Sequence, residues 1–126
     1  MSFAAGTPID TMEGNIPIES LPKTGMVMTY DGTYVPFIYS GPCGIGPTVI
    51  LTLSNGGEII CTADQQFLGN EDWTEAKDSV GVYLYDEDME DNVYVKSMRV
   101  GGGRMVYKLG VVSGDYCLAG GIIVAA

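Results

Sequence analysis

Apolar and polar residues alternate in short stretches along this chain, and glycine, proline, asparagine or aspartate closes almost every stretch. Period-two alternation bounded by such residues is the signal of a strand that covers a core with one face. Residues 6–11 read as extended and lead to a turn at Glu13-Gly14-Asn15, followed by 16–19 and a break from Pro22 to Gly25. Strands at 26–30 and 33–39 flank Asp31-Gly32, a hairpin signal. Residues 41–47 read as a loop, because Pro42, Pro47 and the glycines between them oppose both a helix and a central strand. The clearest hairpin joins 48–53 to 58–62 across Ser54-Asn55-Gly56-Gly57. Residues 72–78 read as one short helical turn, and 80–85 as a strand. Five acids fill the six positions 86–91, a pattern that predicts an exposed loop. Strands at 93–100, 105–112 and 121–124 complete the chain, with Gly101-Gly102-Gly103 as a turn. The expected class is all-β: many short antiparallel strands and very little helix.

Composition supports that class. Val and Ile together number 22, against 7 Leu and 7 Ala, and there are 9 Thr and 8 Tyr. These are residues that suit a pleated, half-buried surface. The 18 glycines among 126 residues predict many tight turns. A chain of this length suits one small domain, 1–126. With 16 acids and 6 bases the formal charge is −10, which argues against nucleic acid as a partner, since phosphates require a basic face. No apolar run approaches the roughly 18 residues of a membrane-spanning helix, so no membrane partner is expected. The opening residues lack the basic and apolar regions of a secretory signal, so none is expected there. Cys43, Cys61 and Cys117 are odd in number and without CxxC spacing. Buried, inert thiols in a cytoplasmic protein are the expectation. Histidine is absent, which removes the side chain that titrates near neutrality.

Three segments, at the start, middle and end, together carry a resemblance. The first is Ser2-Phe3-Ala4-Ala5-Gly6-Thr7-Pro8-Ile9-Asp10-Thr11 with Gly14 and Ile16-Pro17-Ile18-Glu19. The second is Cys61-Thr62-Ala63-Asp64-Gln65-Gln66-Phe67-Leu68 with Trp73 and Ala76-Lys77. The third is Val106-Tyr107-Lys108-Leu109-Gly110-Val111 with Asp115-Tyr116-Cys117-Leu118-Ala119-Gly120-Gly121-Ile122-Ile123-Val124. In this order they resemble the conserved segments of inteins, the self-splicing domains of the Hint (hedgehog/intein) family. The resemblance implies a compact, horseshoe-like β fold and a self-processing activity in which the domain excises itself and ligates its flanking exteins. It implies no metal and no cofactor, and a monomer whose partners are the flanking segments in cis.

The resemblance also assigns roles. Ser2 stands at the nucleophile position, as a natural serine or as a replacement for cysteine, and would attack the carbonyl before it in an acyl shift. Thr62 and Gln65 stand at the Thr and His of the family's Thr-x-x-His segment, which polarises the scissile amide. Gln donates a hydrogen bond but transfers no proton near neutral pH. Asp64 beside it is a candidate base or an ordinary turn carboxylate. Lys108 and Asp115 fall where the family carries an Asp and a His, and read as a new proton network or as a surface ion pair. Ala125 and Ala126 occupy the positions of the terminal His-Asn. Alanine has no side-chain amide to cyclise, so this chain reads as splicing-dead.

The acidic stretch around Met89 falls where inteins carry an inserted endonuclease or a natural split. Residues 1–88 carry a net −11 and residues 89–126 a net +1. That asymmetry suggests two complementary fragments joined in one chain, although a continuous mini-intein reads equally well. Two rival functions stand beside splicing. One is a hedgehog-like transfer of the upstream acyl group to an outside nucleophile, which needs no terminal Asn. The other is a non-catalytic acidic β-module that binds or scaffolds.

Overall fold

A computed structural model describes residues 1–70, 72–85 and 93–126, with the backbone alone at 39 and 40. The acidic loop expected at 86–91 lies outside the described residues. Eleven strands appear among those described: β1 (Phe3–Ala4), β2 (Pro8–Thr11), β3 (Gly14–Pro17), β4 (Met26–Met28), β5 (Tyr34–Leu53), β6 (Glu58–Cys61), β7 (Gln66–Leu68), β8 (Trp73–Glu75), β9 (Val95–Val111), β10 (Asp115–Cys117) and β11 (Ile123–Ala125). Two 3-10 turns, Ile18–Ser20 and Ala76–Asp78, supply the helical residues. The all-β expectation therefore holds, and every pairing between these strands is antiparallel.

Among the described residues one sheet runs β3-β2-β4-β5-β6-β1-β9, and β9 also pairs back with β5. The strands β5, β6, β1 and β9 thus close on one another, which leaves that part of the sheet without a free edge. A second sheet runs β10-β11-β7-β8. The two hairpins with strong turn signals form as expected. At 54–57, Leu53 and Gly57 close the turn through Leu53 N–H to Gly57 O at 2.8 Å. Gly56 there adopts φ +88°, which only glycine takes without strain. At 29–33, the Asp31 carboxylate accepts from the Thr29 and Thr33 hydroxyls at 2.6 and 2.7 Å.

Four expectations are corrected. Residues 41–47 are no loop: β5 continues through them, with partners from Gly41 opposite Lys108 to Pro47 opposite Gly103. On this stretch only β9 pairs with β5, while β4 and β6 pair at its two ends. One flank is therefore an edge, where proline's missing N–H costs no ladder bond. Gly101-Gly102-Gly103 is no turn either, because β9 continues through it, with a register shift at Gly101 between Gly102 opposite Thr48 and Val100 opposite Val49. A Cβ on Gly101 would lie 2.4 Å from Thr48 Oγ1, so the close approach of β5 and β9 needs glycine there. Residues 72–78 form β8 and then a 3-10 turn rather than a helical turn. Residues 80–85 contribute isolated bridges (Val80 to Val95, Tyr83 to Tyr94, Leu84 to Gly69) rather than a strand.

The core follows the alternation. In β6 the inward residues Ile59 and Cys61 are buried, and in β2 Ile9 and Thr11. Phe3 sits at its centre, edge-on to Phe67 at 6.1 Å and to Tyr116 at 6.5 Å between ring centres. Burial of aromatic rings in edge-to-face contact contributes beyond area alone. Because Phe3 and Phe67 belong to segments beside Ser2 and Gln65, this packing fixes the backbone on which the candidate site is built.

Candidate functional site

The chain's first residues enter between two strands. Phe3 pairs with Cys61 of β6 on one side and with Tyr107 of β9 on the other. Ser2 is buried, with 7% of its surface exposed. The turn that follows β6 then meets it: Thr62 N–H donates to Ser2 O at 3.0 Å. In return Ser2 N–H donates to Thr62 Oγ1 at 3.0 Å. The Thr62 hydroxyl donates to Asp64 Oδ1 at 2.7 Å, with a longer contact of 3.4 Å to Ser2 O. Asp64 Oδ2 lies 3.3 Å from the Met1 amino group. The hydrogen bond from Thr62 is the main reason the Asp64 carboxyl lies below the usual carboxylate range, with the Met1 ammonium adding to it. A carboxylate so held stays ionised and orients the Thr62 hydroxyl, leaving an oxygen lone pair for the Ser2 amide.

The same turn holds the other end of the chain. Gln65 N–H bonds back to Thr62 O at 3.1 Å, closing residues 62–65 into one turn. The Gln65 side chain is 1% exposed, and its Nε2 donates to Ala125 O at 3.0 Å and to Gln66 O at 3.1 Å. Ala125 lies in β11, paired with Asp115 of β10, while Val124 pairs with Phe67 of β7. Ala126 N–H adds a bond to Gly114 O at 2.9 Å. Residues 2 and 125 are therefore gripped by one four-residue segment, which brings Ser2, Thr62, Asp64, Gln65, Ala125 and Ala126 into one neighbourhood.

Lys108 and Asp115 join it differently. Lys108 follows Tyr107, the partner of Phe3, so the register of β9 brings its backbone beside Ser2. Its side chain is exposed and forms no hydrogen bond or ion pair among the described residues. Asp115 accepts the Tyr30 N–H at 2.8 Å. The expected Lys108–Asp115 pair does not form, because Lys108 pairs across to Gly41 while Asp115 anchors the 29–33 turn.

Cys43 was missed. It was expected to be buried and inert, and it is exposed. It falls at a register shift of β5, between Pro42 opposite Tyr107 and Gly44 opposite Val106. There the Ser2 hydroxyl donates to Cys43 Sγ at 3.7 Å. Cys61 and Cys117 are buried as expected. Burial pushes the Cys61 thiol up to about 12.

One internal turn of this β scaffold thus holds both chain ends. The whole fold matches solved inteins. The gp41-1 intein superposes with a TM-score of 0.84 over 99% of this chain and 98% of its own, at 17% identity. A DnaB intein from Synechocystis sp. gives 0.84 over 99% and 97%, at 18% identity. The MchDnaB-1 intein gives 0.80 over 98% and 99%, at 16% identity. This chain has the intein fold. No protein-family model and no curated protein matches its sequence.

Proposed function

We propose that this chain is a self-processing domain of the splicing type, acting on the peptide segments that flank it. The observation that carries the reading is the shared grip of the 62–65 turn on Ser2 and on Ala125. In the first step the Ser2 hydroxyl attacks the carbonyl of residue 1 and the upstream segment moves from nitrogen to oxygen. Thr62 Oγ1 holds the nitrogen that departs, and Asp64 holds Thr62. Fixing attacking and departing atoms on one buried residue is a proximity effect, a class worth about 7–11 kcal/mol in favourable intramolecular cases. Gln65 fixes the carbonyl of residue 125 and so sets the position of residue 126. Alanine at 126 supplies no side-chain amide, so residue 126 itself cannot cyclise.

The test is a fusion with a folded reporter upstream of residue 1 and a second one downstream of residue 126. Hydroxylamine, which cleaves esters, is expected to release the upstream reporter, and Ser2→Ala to abolish release. Equal behaviour of the two overturns the reading. Ala125→His with Ala126→Asn and a downstream cysteine is expected to add ligated product, detected by mass. The absence of an amide at Ala126 favours a second reading, in which the ester passes to an outside nucleophile. Turnover with a diffusible alcohol or thiol, and no ligation after the double substitution, supports that reading instead.

A further inference from the structure

Serine is a weak nucleophile unless a base takes its proton. This chain has no histidine to do so. Asp64 contacts the Thr62 hydroxyl and the Met1 amine, while the Ser2 hydroxyl has its hydrogen-bond acceptor in Cys43 Sγ at 3.7 Å. The contact joins two strands: Ser2 precedes β1, and Cys43 sits at the β5 register shift beside the Tyr107–Val106 step that β1 also pairs with. The local break in the ladder gives Cys43 no Cα partner on β9, and its thiol is exposed while Ser2 is buried. Buried serine thus meets a thiol that solvent reaches.

We propose that Cys43 is the general base of the upstream step, its thiolate taking the proton of the Ser2 hydroxyl. This rests on the self-processing role of Ser2 given above. The Oγ–H bond breaks as an S–H bond forms, and Oγ bonds to the carbonyl carbon of residue 1. The bond from that carbon to the Ser2 nitrogen then breaks. The proton passes from Cys43 to that nitrogen as it leaves, and the thiolate is regenerated. No external oxidant or reductant enters. The charged and titratable groups that surround this stretch are Arg104, Tyr107 and Lys108 on β9, Asp64 on the 62–65 turn and the amino group of Met1. None of them bonds to Cys43 among the described residues.

The experiment is the reporter fusion, read as the rate of upstream release by hydroxylamine across a pH series, under reducing conditions. Cys43→Ala is expected to slow release about 100-fold, the lower end for loss of a general base. Release by the unaltered chain is expected to rise across the pH series, and the variant to lose that rise. Iodoacetamide is expected to give the same loss, since Cys61 and Cys117 are buried. Ser2→Cys decides between chemistry and structure, because a thiol nucleophile ionises without help. It is expected to rescue the Cys43→Ala chain. Unchanged release in Cys43→Ala overturns the proposal, as does a Cys43→Ala loss that Ser2→Cys leaves unrepaired. If Ser2→Cys with Cys43 intact forms no thioester, the self-processing reading itself has failed.

Discussion

At Thr62 the hydroxyl accepts from Ser2 N–H and donates to Asp64, so an alanine there frees both neighbours together. Thr62→Ala is expected to slow upstream release about 100-fold, and Thr62→Ser to restore most of it, in single-turnover time courses. Gln65 is a different case. Its Nε2 is buried against the carbonyls of residues 66 and 125. Gln65→Ala leaves both acceptors unmet and is expected to cost about 1–3 kcal/mol in urea unfolding. Two buried groups set an alkaline limit. Cys61 lies up from its ordinary 9.0 to about 12, and burial also raises Tyr116 above its usual range. Both raised values mean that the unfolded chain loses these protons first. The stability they represent is intact below pH 9 and falls as pH climbs toward 12, by up to about 1.4 kcal/mol per pH unit for each group. Denaturation midpoints measured from pH 8 upward should decline, and Cys61→Ala should flatten the slope. Ser2, Thr62 and Gln65 were assigned through the resemblance to inteins, and the structure brings them together around the 62–65 turn. Cys43 was not so assigned, because its place beside Ser2 depends on the register of two strands 41 residues apart.

Hairpins whose turns carry local chemistry were readable from the sequence itself. Asp31 between two threonines and Asn55-Gly56 each close a turn with bonds inside a few residues. The long strands β5 and β9 were not, since each looks broken by residues that only their partner explains. Pro42 and Pro47 survive in β5 because that flank has no second neighbour, and Gly101 survives in β9 because Thr48 lies against it. Gly101→Ala is therefore expected to lower stability by about 1–3 kcal/mol in urea unfolding, through the clash with Thr48 and loss of its 2.8 Å bond to Gly102 O. The size of the shift measures how tightly the two strands press together.

Considered as a whole, the molecule interleaves its two ends. Residues 1–88 supply β1 to β8, and residues 89–126 supply β9 to β11. Yet β9 pairs with β1 and β5, and β11 with β7. Neither part can close its sheet alone. Expressed separately, the two are expected to be unfolded and to form the native circular dichroism spectrum on mixing, several-fold more slowly at high salt. The 62–65 turn has one more consequence. Since residues 2 and 125 hang from the same four residues, a brief peptide bridge from Ala126 to Met1 would turn the polypeptide into a ring with little distortion. A ring restricts only the denatured chain, by roughly 4–5 kcal/mol for a loop of this size. The circle should therefore melt at a higher temperature than the linear form, and it would give exopeptidases no end to start from.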